Sequence, residues 1–313
     1  MEPESKIYVA GHRGLVGAAL VRRLKAEGYT RILERTHAEL DLTDQVEVRR
    51  FFEEERPEYV FLAAAKVGGI RANNTYPADF IRDNLLIQTN VIDAAFANGA
   101  SKLMFLGSSC IYPRDAVQPI VESALLSGPL EPTNQAYAVA KIAGIVHCQS
   151  LRKQHGFDAI SVMPTNLYGP GDSFHPKNSH VIPGLMRRLH EAKVQGLAEV
   201  EVWGSGRATR EFLHVDDLAD ALVFLMRGYS DAELVNIGSG REMTIAELVG
   251  VIAEVVGYTG AIRFGSPDMD GTPRKALDIS RISAMGWKPR IEFSRGLAET
   301  YRWFLENVSG EGE

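Results

Sequence analysis

The chain has 313 residues, a formal net charge of −6 and 45 % hydrophobic residues. That length suits one large or two intimately joined domains with a substantial core, and the negative balance gives no electrostatic reason to expect nucleic acid or an anionic membrane as partner. No apolar run approaches the roughly 20 residues that span a bilayer. The acidic start reaches a strand by Lys6 and suggests no signal peptide, and Cys110 and Cys148 are too few for a disulfide framework or a metal cluster. No metal is expected, and the cytoplasm is the expected setting.

Lys6–Ala10 reads as a short buried strand, followed at once by Gly11-His-Arg-Gly14-Leu-Val-Gly17, with helical periodicity from Leu15 to Glu27. Glycines at this spacing permit a tight turn and close approach of a pyrophosphate, which then meets the free N–H groups of a helix N-terminus. Gly11, His12, Arg13, Gly14, Leu15, Val16 and Gly17 are therefore candidate dinucleotide contacts. The second strand, Arg31–Arg35, ends in Glu34-Arg35. An acid there suits a ribose 2′-hydroxyl and an arginine a 2′-phosphate, so the spacing alone leaves both open. Arg13 adds a second cation, and the expectation is NADP(H) on Arg35, with Leu40 and Ala63 nearby.

Strands continue at Tyr59–Ala63, Lys102–Gly107 and Ala159–Met163, with amphipathic segments at Val46–Glu55, Asp79–Asn98 and Gln135–His155. This rhythm predicts an α/β fold, a doubly wound parallel sheet covered by helices on both faces. Ala63-Ala-Ala65 is small enough for a cofactor to pass. Active residues in such sheets lie beyond the carboxyl ends of strands. Ser108, Cys110 and Asn166 fall there, and Leu106, Gly107, Ser108, Ser109, Pro164, Thr165, Asn166 and Leu167 are candidate cofactor contacts.

The second half is less regular. A basic helix is expected at Ile182–Lys193, strands at Val200–Trp203 and Arg210–His214, and a helix at Val215–Met226 leading to a strand, Leu234–Ile237, that could return to the main sheet. Helices Ile245–Val256 and Arg295–Asn307 follow. The expected division is a dinucleotide domain of residues 1–167 plus about 211–240, and a smaller, interleaved α/β substrate domain of 168–210 and 241–313.

Tyr137 and Lys141 lie four apart, one turn from each other on a helix face. A nearby ammonium favours the tyrosinate and is expected to lower the phenol's pKa, while Ser108, brought close by the fold, shares the same carbonyl oxygen. Cys110, two residues beyond Ser108, is a potential base toward a carbon acid; as a bare sequence feature it also fits a small buried hydrophobe. Cys148 reads as core. His214, before Asp216-Asp217, reads as structural, with the carboxylates capping the next helix.

With these residues in hand the chain resembles the extended short-chain dehydrogenase/reductases. Longer blocks are similar to the GDP-L-fucose synthases: Ala63-Ala-Ala-Lys-Val-Gly-Gly-Ile70, Gly107-Ser-Ser-Cys-Ile-Tyr-Pro113, Pro164-Thr-Asn-Leu-Tyr-Gly-Pro170, Asn178-Ser-His-Val-Ile-Pro183, Trp203-Gly-Ser-Gly206 and Asp270-Gly-Thr-Pro-Arg-Lys275. The resemblance implies a 3,5-epimerase and 4-reductase acting on GDP-4-keto-6-deoxy-D-mannose with NADPH, and a homodimer through two long helices. It implies Ser108, Cys110, Tyr137, Lys141 and His180 as catalytic groups, Cys110 as base and His180 as acid. The diphosphate needs cations, for which Arg188, Arg210 and Lys275 are candidates. Trp203 fits either the nucleotide or a core, Asp270 a hydroxyl, and Asn166 the sugar or nicotinamide. Arg187 and Arg188 equally fit a solvated helix face. A 4,6-dehydratase of the superfamily would carry an Asp-Glu pair where Ser109-Cys110 stand. A C4-epimerase of the same fold and a non-catalytic NADP(H)-binding protein are the other rivals.

Overall fold

The computed structural model describes residues 1–176, 179–266 and 272–309. Its first half alternates β1 (Ile7–Ala10), α1 (Leu15–Ala26), β2 (Ile32–Leu33), α2 (Gln45–Glu55), β3 (Tyr59–Leu62), α3 (Ile70–Thr75), α4 (Pro77–Ala97), β4 (Lys102–Leu106), α5 (Gln135–His155) and β5 (Ala159–Pro164). Residue choice explains the boundaries. Asp44 caps α2 by accepting from the N–H groups of Val46 and Glu47, Pro77 opens α4 where no N–H is needed, and Gly156 ends α5 at φ +71°.

The second half runs β6 (Asn166–Tyr168), α6 (Val181–Val194), β7 (Glu199–Val202), β8 (Thr209–His214), α7 (Val215–Gly228), β9 (Val235–Ile237), β10 (Glu242–Thr244), α8 (Ile245–Val256), β11 (Ala261–Phe264), β12 (Arg274–Lys275), α9 (Ser280–Ala284) and α10 (Phe293–Asn307). Thr244 and Glu247 form a reciprocal capping box on α8.

The main sheet has the order β2-β1-β3-β4-β5-β9, and every pair in it is parallel. The doubly wound sheet expected from the sequence is thus present, and the strand at 235–237 does return to its edge. One apolar layer, including Phe51, Phe52, Val91 and Phe105, covers one face under α2, α4 and α5. A second, with Leu20, Leu24, Phe61 and Leu222, covers the other under α1 and α7. Successive strands leave β1 in opposite directions, β2 to one side and β3 to the other, so a crevice opens at the carboxyl ends of β1 and β3.

β8 organises the second half. It pairs with β10 antiparallel and with β6 and β12 parallel, while β7 and β11 form a separate ribbon. A third apolar cluster, including Leu185, Met186, Leu248, Ile252 and Phe304, joins α6, α8 and α10. The expected strand at Arg31–Arg35 shrinks to two residues, Ile32 and Leu33, which pair with Ile7 and Tyr8, and the two residues expected to end it form ion pairs. Glu34 meets Lys25 at 2.9 Å and Arg35 meets Glu55 at 2.6 Å. No helix of the described residues is long and apolar enough to cross a membrane.

Candidate active site

The glycine loop lies at the crevice between β1 and β3. Gly11 has φ +85°, and a Cβ there would come within 2.8 Å of the Ala64 backbone. A Cβ on Gly17 would stand 2.1 Å from the Gly11 carbonyl oxygen. These contacts pull the start of α1 down onto the end of β3, which only glycine permits. Gly14 caps α1 without a side-chain bond, so first-turn N–H groups stay free for an anion. The buried His12 Nδ1 has no partner. A cradle with free donors and an orphaned ring nitrogen fits a dinucleotide phosphate.

Around that loop the expected residues take different places. Arg13 is exposed, and its charge acts on Glu39. Arg35 lies 5.3 Å from the Phe51 ring centroid and pairs with Glu55. The Glu34 carboxylate is held by Lys25, with His12 Nε2 at 4.0 Å. Leu15 and Val16 pack on α7, Ala63 joins the second apolar layer, and Leu40 lies in the first.

The chemistry-bearing groups gather where β4 ends. Gly107 permits the turn, since a Cβ there would meet Met163 Sδ at 2.4 Å. Ser108 then caps a short turn, Ser109–Ile111, by accepting from the Cys110 N–H at 3.3 Å. Its hydroxyl also faces the Tyr137 phenol closely enough to act on its ionisation. Helix α5 delivers Tyr137 and Lys141 to this turn, and two contacts set its height. Gly144 lets the helix press against β4, where a Cβ would lie 2.5 Å from the Phe105 ring, and Gln88 on α4 donates to the Ala140 carbonyl at 2.6 Å.

The electrostatics correct one expectation. Lys141 does not lower the Tyr137 pKa here. Burial raises it above the ordinary phenol value, the Cys110 charge adds to the rise, and the Ser108 hydroxyl opposes it. Lys141 is itself buried, its pKa is pushed down to about 7 by desolvation, and its Nζ donates to the Leu106 carbonyl at 2.9 Å. The physical reason is that low-dielectric surroundings disfavour charge on both partners, so four-residue spacing alone does not make an ion pair.

Cys110, half-buried, faces Lys275, whose Nζ donates to its sulfur at 3.8 Å. Ser108, Cys110, Tyr137, Lys141 and Lys275 thus form one cluster. Sequence reading placed Lys275 only by resemblance, as a phosphate cation; no local pattern pointed to the thiol. His180 opens α6 as its N-cap with no side-chain capping bond. Its ring reaches solvent, yet enough protein surrounds it to hold its pKa below the ordinary imidazole value. Among the described residues no hydrogen bond or ion pair joins it to the cluster.

Asn166 donates from Nδ2 to the Glu211 carbonyl at 2.9 Å, and Thr165 does so through its hydroxyl at 3.3 Å. Both tie β5 and β6 to β8; Pro164 ends β5 and Leu167 packs in the second apolar layer. Trp203 is 60 % exposed, which removes it from the core, and the Arg188 guanidinium stands 4.4 Å from its ring centroid. Arg188 also donates to the Glu201 carbonyl, and Arg210 to the Thr209 carbonyl. Asp270 lies outside the described residues. Cys148 is core, its thiol pushed up to about 12 by burial. His214 is structural, as expected, but it caps α7 itself, accepting from the Asp216 N–H. The carboxylates do other work: Asp217 holds the Arg290 and Ile291 N–H groups, and Asp216 pairs with Arg22.

Known proteins resemble this chain over nearly its whole length. The NAD dependent epimerase/dehydratase family matches residues 7–238. GDP-L-fucose synthase 1 of Arabidopsis thaliana is 62 % identical over 307 residues, covering 98 % of this chain and 95 % of that protein. GDP-L-fucose synthase of Escherichia coli strain K12 is 54 % identical over 313 residues, covering 97 % and 98 %. The crystal structure of a GDP-L-fucose synthetase from Naegleria fowleri bound to NADP superposes with a TM-score of 0.90 at 28 % identity, covering 98 % and 96 %. The chain belongs to the NAD dependent epimerase/dehydratase family and, within it, to the GDP-L-fucose synthases.

Proposed function

We propose that this chain converts GDP-4-keto-6-deoxy-D-mannose to GDP-L-fucose with NADPH, inverting C3 and C5 before reducing C4. The observation that carries the reading is the gathering of Ser108, Cys110, Tyr137 and Lys141 at the end of β4, with the Cys110 N–H on Ser108 Oγ, Lys141 Nζ on the Leu106 carbonyl and the same Nζ 5.8 Å from the Tyr137 ring centroid. A C4 ketone acidifies the C–H bonds on both neighbouring carbons, because removing the proton leaves an enolate. Cys110 acts as base on one face of the sugar and His180 delivers a proton to the other. Ser108 and Tyr137 hydrogen-bond the C4 oxygen and stabilise the enolate.

Bound NADPH supplies the hydride to C4. Tyr137 protonates the oxygen in that step, a role suited to a phenol that burial keeps protonated. The start of α1 and the glycine loop hold the dinucleotide phosphates, and Lys141 binds the nicotinamide ribose. Arg13 and Arg35 serve a 2′-phosphate; the engagement of Glu34 with Lys25 supports this by removing the acid that would compete for the ribose. Arg188 and Arg210 serve the diphosphate, Trp203 the base or sugar, and Asp270 and Asn166 sugar hydroxyls.

In this reading residues 1–167 with about 211–240 serve the dinucleotide, and 168–210 with 241–313 serve the sugar nucleotide. We further propose a cytoplasmic homodimer through α4 and α5; their exposed Leu86, Val139 and Val146 support that pairing. The deciding test incubates the protein with the keto-sugar and either NADPH or NADH and identifies the product. Fucose-configured GDP-sugar with NADPH is the expected result; a GDP-sugar reduced at C4 with its C3 and C5 configurations retained would reject the epimerase half.

A further inference from the structure

Lys275 and Cys110 are 165 residues apart in sequence and reach each other only through the fold. The strand that bears the lysine is clamped along its length. β12 pairs in register with β8, Lys275 opposite Arg210. The Ala276 N–H donates to Gln118 Oε1 at 2.9 Å, and its carbonyl accepts from the Ile120 N–H at 2.9 Å. The Leu277 N–H donates to Glu211 Oε2 at 3.0 Å, and the same buried carboxylate holds the Gly240 N–H at 2.8 Å. Gly238 makes room for that carboxylate, since a Cβ there would lie 2.2 Å from its oxygen.

A second chain of bonds runs back to the turn that bears the cysteine. Asn236 donates to the Asp278 and Ile120 carbonyls and accepts from the Tyr112 hydroxyl at 2.6 Å. Tyr112 lies two residues beyond Cys110. Both residues therefore sit beside backbone tied into one buried polar framework, which holds the two stretches of chain side by side.

Among the described residues no other side chain hydrogen-bonds this sulfur. Tyr137 is held neutral by burial, Lys141 is committed to the Leu106 carbonyl and pushed down to about 7, and Ser108 contributes a hydroxyl. Arg210, the register partner of Lys275, sends its guanidinium to the Thr209 carbonyl. Among the described residues no carboxylate pairs with Lys275, so its ammonium is the cation given to this sulfur.

We infer that Lys275 is a positioning residue for the epimerase half-reaction, its ammonium stabilising the Cys110 thiolate so that the cysteine meets the sugar as a base. An opposite charge at this distance favours the ionised form, and a thiolate rather than a thiol can take the carbon-bound proton. The inference rests on the reading of Cys110 as that base, but its test does not.

The test follows the rate of iodoacetamide alkylation against pH in the full chain, with label assigned by mass spectrometry. Cys148, fully buried, stays silent, and Cys110→Ser gives the blank. In Lys275→Met the midpoint of the rate profile should move up by about one pH unit, whereas Lys275→Arg should hold it near the wild-type position. Identical midpoints in all three proteins, with Lys275→Met raising only the KM for the GDP-sugar, would overturn the inference and leave Lys275 a substrate cation. A shifted midpoint in Lys275→Met, together with undiminished C3 and C5 exchange in Cys110→Ser, would support the electrostatic link and reject the base role instead.

Discussion

Tyr137 with Lys141 and Cys110 with Lys275 each set an amine beside an acidic side chain, but the two pairs behave differently. Lys141 is 3 % exposed, has lost its preference for charge and is bound to a backbone carbonyl. Lys275 is half-buried and reaches the thiol with no competing acceptor among the described residues. Nearness along a helix brought the first pair together, and burial then withheld the ion pair. Nearness through the fold brought the second together in a place that solvent still reaches. Within one cluster, then, solvent access separates a phenol and amine for which burial disfavours charge from a pair that water still reaches.

Removing the phenol hydroxyl should break this comparison most severely. Tyr137→Phe is expected to lower C4 reduction by about 10³-fold, the range of a lost general acid, while exchange at C3 and C5 remains measurable. Parallel loss of both activities would mean the two half-reactions share the phenol as their proton donor.

Crowding the glycine cradle comes next. With the Gly11 carbonyl 2.1 Å from the added Cβ, Gly17→Ala should displace α1 at a cost of about 1–3 kcal/mol and weaken NADPH binding at least tenfold. A fluorescence titration showing unchanged affinity would remove the cradle from the cofactor site.

Lys141 gives a pH signature that sharpens the contrast between the pairs. Its pKa falls to about 7 on folding, so between about pH 7 and the usual lysine range near 10.4 the unfolded chain holds one more proton than the folded one. Stability without added nucleotide should therefore rise with pH across that window, by about 1.4 kcal/mol per unit from this group alone, and the rise should diminish in Lys141→Met. Urea titrations at pH 7, 8 and 9 would show it. An equal slope in the variant would mean that Lys141 stays charged.

The smallest effect is expected at Arg35. Because it is shared with Glu55, Arg35→Ala should reduce the preference for NADPH over NADH by about tenfold, read from the ratio of kcat/KM values. No change in the ratio would transfer 2′-phosphate recognition to Arg13.

Much of this was legible where the signal is local. Helix α5 spans Gln135–His155 as its periodicity indicated, which put Tyr137 and Lys141 one turn apart, and the glycine loop follows its strand as the spacing required. The strands β6, β10 and β12 were missed because each has two or three residues and exists only through pairing with β8. The same non-locality hid the Lys275–Cys110 contact, since the clamps at Gln118, Glu211 and Asn236 come from three distant stretches of chain. Desolvation was the other blind spot. Spacing located Tyr137 and Lys141 correctly but could not say how deeply each would be buried, and burial reversed the expected direction of the phenol's shift. Trp203 is the opposite case: an aromatic that sequence allowed to be core stands in solvent under an arginine.

The most direct measurement is deuterium incorporation from solvent at C3 and C5 of GDP-4-keto-6-deoxy-D-mannose, followed by NMR in the wild type, Cys110→Ser and Tyr137→Phe. We expect rapid exchange in the wild type, exchange reduced by about 10³-fold in Cys110→Ser, and exchange slowed but still measurable in Tyr137→Phe, where Ser108 still donates to the C4 oxygen. Equal exchange in the wild type and in Cys110→Ser would contradict a thiol base at the end of β4.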